Sequence, residues 1–191
     1  MWELQKQRAD ALLSAIKAGD NATIVSAADD YLRLGGSSDR PWMFLEIMKA
    51  YRVNGEAFWR ILHLCWNGFD RIPHRQFARL FRIYRQAWRS EYLPLADAEE
   101  FCRLPETITV YRGQDATAPV GLSWSTKRSV AEDFARGHRM IFNPSPVVIE
   151  AQVSKAEIAG IYTDRDEVEI TVFSTKAAKK RNVVPLVKRA S

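Results

Sequence analysis

The sequence predicts an α+β chain: an N-terminal helical bundle followed by a small, mostly antiparallel β unit. Three observations predict it. Before residue 104 the apolar residues recur at helical spacing. After Pro105 the pattern shortens to period two. The strands then follow one another without regular intervening helices, which argues against a doubly wound parallel sheet. The expected division is a helical region at 1–104 and a β region at 105–191.

Each element has a local reason. Residues 2–18 carry Leu4, Leu12, Leu13 and Ile16 at helical spacing and end at Gly19. Residues 22–34 carry Ile24, Val25, Ala28 and Leu32 and end at Gly35-Gly36. Ser38 or Asp39 caps a third helix with Pro41 in its first turn, running to Asn54-Gly55. A fourth covers 56–68, a fifth opens at Pro73 and continues to Arg89, and a short sixth covers 94–103. Strands are expected at 107–111, 121–125, 146–153, 167–173 and 183–187. A short helix lies at 129–136, and 155–161 reads as a turn of helix or a bend.

Of the 191 residues, 47% are apolar and 27% charged, enough to build a core and too few charges for a disordered chain. Cys65 and Cys102 are the two cysteines, so a disulfide framework and an all-cysteine zinc site are excluded. A reducing, cytoplasmic setting follows as the expectation. Residues 1–6 lack the features of a leader, and no run of about 18 apolar residues suits a membrane span. His63, His74 and His138 have no paired ligand spacing, so no metal is expected.

The formal charge of +5 is unevenly spread. Residues 60–89 hold seven arginines against one acid, Asp70. Arg75, Arg79, Arg82, Arg85 and Arg89 fall within an arc of about 120° on one helix, opposite Phe77, Leu80, Phe81, Tyr84 and Trp88. Such a stripe is either a solvated face or a platform for phosphates or an acidic partner.

Three features of the β region carry chemistry. Arg112, in Tyr111-Arg112-Gly113, either pairs with a carboxylate or holds an anion. Gly113 marks a turn or a close approach to the backbone. Ser123 and Ser125 alternate with Leu122 and Trp124, so both hydroxyls share a face, where they satisfy backbone groups or orient a carboxylate. Glu167 and Glu169 share a face about 7 Å apart. They form either a solvent-facing edge or a working pair, one carboxylate stabilising a developing cation and the other guiding a nucleophile.

Taken in order, strand–Arg112–Gly113, then Ser123-Trp124-Ser125-Thr126 leading into a helix with Ala131 and Phe134, then Glu167-Val168-Glu169, the chain resembles the arginine–serine–glutamate mono-ADP-ribosyltransferases, particularly bacterial and phage-borne members. The resemblance covers roughly 105–188. It implies transfer of ADP-ribose from NAD, a co-substrate, to a macromolecule, without a metal. By that resemblance Arg112 contacts the nicotinamide-side phosphate or ribose, and the Gly113 backbone holds the carboxamide. Ser123 orients Glu169, the catalytic carboxylate, and Glu167 meets the acceptor. Tyr111, Trp124, Ser125 and Phe134 complete the NAD site. The stretch 162–166 faces the acceptor. The stretch 137–145 covers nicotinamide and phosphate, with Arg136 or Arg139 adding charge. Trp124 departs from the family's usual Ser-Thr-Ser. Glu-x-Glu implies a protein arginine as acceptor, with nucleic acid, met through the Arg75–Arg89 face, as the variant. NAD glycohydrolysis and a catalytically silent binding module are the other readings. The resemblance is compatible with a toxin, a phage effector or a defence protein, with the helical half docking an acceptor or a neutralising partner.

Overall fold

The computed structural model describes residues 2–137, 143–164 and 168–186. It is an α+β protein: N-terminal helices, then an open antiparallel sheet. Two compact units divide at Pro94/Leu95.

The first unit contains α1 (Trp2–Ala18), α2 (Asn21–Leu32), α3 (Arg40–Ala50), α4 (Gly55–Cys65) and α5 (His74–Tyr84). Its boundaries follow the expected chemistry. Gly19 ends α1 at φ +77°, a left-handed position that suits glycine. Asp20 caps α2 by accepting from the Thr23 amide at 2.8 Å, and Asn54 caps α4 by accepting from Ala57 at 3.0 Å. Asp39 precedes α3 without a side-chain cap bond, and Pro41 opens its first turn.

The core of this unit is aromatic. Phe44, Phe58, Trp59, Trp66, Phe77 and Phe81 are all buried. Phe58 stacks on Tyr84 at 4.1 Å, and Phe44 on Phe77 at 5.5 Å. The Trp59 indole donates to the Tyr84 carbonyl at 2.9 Å, so burial leaves that N–H satisfied. Among the described residues three tryptophans are thereby core, two here and Trp124 in the sheet.

The fifth helix is shorter than its hydrophobic pattern predicts. It stops at Tyr84, where the Tyr84 hydroxyl donates to the Val53 carbonyl and a 3-10 turn, Arg85–Ala87, follows. Arg75, Arg79 and Arg82 remain an exposed stripe on α5. Arg85 lies on the turn, and Arg89 is in extended backbone, donating to the carbonyls of Gln86 and Trp88. The five-arginine face is therefore a three-arginine face.

His63 is buried against Trp59 at 5.7 Å, and burial holds its imidazole down to about 3 from an ordinary 6.5. The unfolded chain takes up this proton below about pH 6.5 and the folded one does not until about pH 3. Stability from this residue is complete above pH 6.5 and falls as pH drops, by about 2–3 kcal/mol at pH 4.5. Urea midpoints of wild type and His63→Leu across pH 7.5–4.5 should diverge, with the wild type steeper. Parallel curves would remove His63 as the cause.

The second unit contains α6 (Leu95–Arg103), β1 (Thr107–Asp115), β2 (Ser123–Ser125), α7 (Arg128–Ala135), β3 (Pro146–Ser154), β4 (Ile158–Tyr162), β5 (Glu169–Val172) and β6 (Lys179–Pro185). Helix α6 packs with this unit although its pattern groups it with the helices before it. Asp97 accepts from the Thr163 amide and hydroxyl at 2.9 and 2.7 Å, and Lys155 Nζ donates to the carbonyls of Cys102 and Leu104.

The strand order is β4-β5-β2-β1-β3-β6, all neighbours antiparallel. Strand β4 replaces the helix or bend expected at 155–161: a 3-10 turn, Lys155–Glu157, leads into it. All five of its residues are buried, so both faces are apolar and no alternation marks it as a strand. The last strand begins four residues earlier than expected, at Lys179 rather than 183. No helix among the described residues is long and apolar enough to cross a membrane.

Candidate active site

The sheet contains a seam. Strands β1 and β3 pair over nine residues, from Thr107↔Ser154 to Asp115↔Pro146. Strands β1 and β2 pair only at Tyr111↔Ser125. The sheet is thus two three-stranded halves, β4-β5-β2 and β1-β3-β6, joined at one rung.

Residues across a rung share a face. Tyr162, Glu169, Ser125, Tyr111 and Glu150 therefore line up across one face, with Thr171, Ser123, Gly113 and Val148 on the same side one step along. The structure brings Ser123, Ser125 and Glu169 together as their spacing requires. Ser125 stands directly opposite Glu169, whereas Ser123 stands opposite Thr171 and meets Glu169 on the diagonal. The Ser125 hydroxyl accepts from the Lys127 amide at 3.0 Å and so shapes the start of α7. The hydroxyls of Ser123 and Thr171 are buried and have no hydrogen-bond partner among the described residues; the Trp124 indole N–H is in the same position. Three orphaned polar atoms on adjoining rungs are uncommon in a folded interior.

Arg112 alternates to the face opposite Tyr111, yet its guanidinium enters the seam. Nη1 donates to the Ser123 carbonyl at 2.7 Å, and Nε donates to Gln114 Oε1 at 2.8 Å. This carbonyl lies where further β1–β2 rungs would otherwise run. Burial lowers the guanidinium pKa to about 10, while the charge of Glu169 acts in the opposite direction. Arg112 stays protonated at neutral pH, electrostatically coupled to Glu169 across the two half-sheets.

Gln114 is a residue the sequence reading missed. It is buried, and its Nε2 donates to the Ala118 carbonyl at 2.6 Å while its Oε1 holds Arg112. Period two from Arg112 was the available signal, since i and i+2 share a strand face. Gln114→Leu leaves a half-buried guanidinium N–H and the half-buried Ala118 carbonyl unpaired, an expected loss of ~1 kcal/mol in urea unfolding. Gln114→Glu keeps the acceptor for Arg112 and should fall between. Equal stabilities for wild type and the leucine variant would show that Gln114 does not hold the arginine.

Gly113 admits a close approach, and the approaching group is helix α7. A Cβ there would lie 1.7 Å from the Ala131 carbonyl oxygen and 2.6 Å from the Ala135 amide nitrogen. Ala131, Ala135 and Val148 form the adjoining cluster, with Tyr111 packed on it. Phe134 is half-buried on α7. Asn143 closes that helix's C-terminus, donating to the carbonyls of Phe134 and Ala135 at 2.9 Å each. Arg136 is engaged by Glu132 at 3.2 Å and Asp133 at 3.8 Å. Glu167 and Arg139 lie outside the described residues, as do parts of the stretches 137–145 and 162–166. No group of three potential metal-ligating side chains occurs among the described residues.

Neither of two surface cavities, of about 390 and 470 Å³, is lined by these groups. The candidate site is the seam itself: a protonated, half-buried guanidinium from one half-sheet and, from the other, a carboxylate and two serines on one face. Comparison with family models, with curated proteins and with solved structures finds no match to this chain.

Proposed function

We propose that the chain is an NAD-dependent mono-ADP-ribosyltransferase, with the β unit as its catalytic domain. The observation that carries this reading is the placement of Ser123 and Ser125 on one face with Glu169, with Arg112 bonded to the Ser123 carbonyl across the single-rung seam. The arginine–serine–glutamate order of the sequence supplies the family; the geometry supports it by bringing distant residues into one polar locus.

The chemistry suits these groups. In the reaction the bond between the ribose C1′ and the nicotinamide nitrogen breaks, and nicotinamide leaves neutral with the electron pair. Positive charge develops on the ribose. A carboxylate held beside the ribose in a partly desolvated site stabilises that charge more than it does the uncharged ribose of the ground state, whose positive charge lies on the nicotinamide ring. An acceptor nucleophile then bonds to C1′ and gives up its proton to Glu167 or through it to water. Glu169 is the stabilising carboxylate in this scheme, and Arg112 holds the dinucleotide's phosphate. The buried, partnerless hydroxyl of Ser123 fits a polar ligand or a reoriented carboxylate. Tyr111, Gly113, Trp124, Ser125 and Phe134 complete the NAD site. Glu167 addresses the acceptor, a protein arginine by family analogy, and no metal takes part.

The test is incubation of the full chain with NAD labelled in the ADP-ribose moiety, with and without cell lysate. Label on lysate protein, with stoichiometric nicotinamide release, is the expected result. Release at the same rate without lysate assigns glycohydrolysis instead. Label lost to nuclease but resistant to protease assigns a nucleic-acid acceptor. No release in either arm removes the enzymatic reading and leaves a binding module.

A further inference from the structure

The cavity of about 470 Å³ lies away from the seam, on the β3–β6 side of the sheet, and is lined by Thr107, Gln152, Ser154, Lys179 and Lys180. Thr107 is five positions from Arg112 along β1, roughly 17 Å at the usual strand rise. The ladder between β3 and β6 is irregular here. Glu150 pairs with Asn182, but Gln152 pairs with Lys179, so β6 has two residues where β3 has one. Lys180 occupies this bulge at φ +49°, a left-handed conformation that glycine adopts without strain. A lysine in that position carries backbone strain that glycine would relieve.

The lining is chemically uniform. Lys179 and Lys180 are exposed and have no ion-pair partner among the described residues. Glu150, the acid next along β3, is 3.9 Å from Arg128. The remaining lining residues are two hydroxyls and an amide. Gln152 is anchored by its Nε2, which donates to Thr109 Oγ1 at 2.8 Å. Strand β6 is a sheet edge, so the groove opens along it.

We propose that this groove binds a phosphodiester segment of a polynucleotide, with Lys179 and Lys180 on phosphate and Thr107, Gln152 and Ser154 on phosphate and sugar oxygens. Neutral hydroxyl and amide groups beside lysines are the side chains that contact a sugar–phosphate backbone. No arginine lines the groove, so its cations meet phosphate as the point charges of lysine rather than as bidentate forks. The volume admits a group of nucleotide size. No aromatic ring lines it, so bases do not stack there and binding is tolerant of sequence. The proposal stands apart from the transfer reading and survives its failure.

The test uses the full chain and fluorescence anisotropy with labelled 12-nucleotide single strands, dT12 and rU12, at 50 and 200 mM salt. The wild type should bind both, more weakly at the higher salt. Lys179→Gln combined with Lys180→Gly should weaken binding at least tenfold and make the log–log salt slope shallower by roughly 1.4, two phosphate contacts on a single strand. Lys180→Gly alone should weaken binding while leaving Tm unchanged or raised, because glycine relieves the left-handed backbone. That pairing separates lost contact from lost fold. Absence of binding at 50 mM salt overturns the proposal. So does a double variant that binds like the wild type, or a polyglutamate peptide that competes as well as unlabelled oligonucleotide.

Discussion

Glu169→Gln is expected to lower nicotinamide release and ADP-ribose transfer by at least about 10³-fold, some 4 kcal/mol of transition-state stabilisation. The substitution keeps shape and hydrogen-bonding capacity but removes the charge that opposes the developing cation. Because Glu169 is half-buried at a rung with Ser125 and Tyr162, the neutral amide should be accommodated with little change in Tm. Steady-state nicotinamide release, measured with circular dichroism on the same samples, makes the comparison. A folded variant within tenfold of wild type would show that the carboxylate is not the reacting group. Dinucleotide affinity adds a second reading: Arg112→Gln should weaken NAD binding, and Glu169→Gln should affect turnover more than binding. The reverse pattern would exchange the two roles.

Gly113→Ala is expected to cost ~3 kcal/mol or more in stability, at the upper end for overpacking, and to remove activity through the fold. The added methyl meets the main chain of α7, at Ala131 and Ala135, which cannot rotate away as a side-chain tip can. Gly160→Ala is the informative contrast. Its Cβ would meet the Tyr162 hydroxyl at 2.7 Å, the far end of a side chain. Urea midpoints should therefore rank wild type, then Gly160→Ala, then Gly113→Ala. If the Gly113 variant unfolds at the wild-type midpoint, the main chain of α7 does not pack against this glycine.

The helical half was legible because its signals are local. The stops at Gly19 and Gly35-Gly36 and the Pro41 of the third helix each act within a few residues, and the spacing of Phe77 and Phe81 marks the buried side of α5. The overrun to Arg89 has the same origin: periodicity continues past Tyr84, but the bond from its hydroxyl to Val53 is a long-range fact that no window contains. In the sheet, alternation identified the faces of Ser123, Ser125 and Glu169. It was silent on β4, whose two faces are both buried. The site residues were visible only as an ordered set, since the seam that unites them depends on which strands pair. Gln114 and Thr171 escaped notice because each is an ordinary polar residue whose significance lies in a neighbour: a guanidinium to hold in one case, an orphaned hydroxyl opposite in the other.

The single Tyr111↔Ser125 rung has a mechanical consequence. Each half-sheet keeps its own ladder, so the angle between them can change without stretching any bond inside either. The charge on β1 and the carboxylate on β5 ride on separate plates, held to one another by that rung and by the bond from Arg112 to the Ser123 carbonyl. A ligand bridging the two plates would exchange the Arg112–Ser123 bond for contacts of its own, and neither ladder need break to admit it.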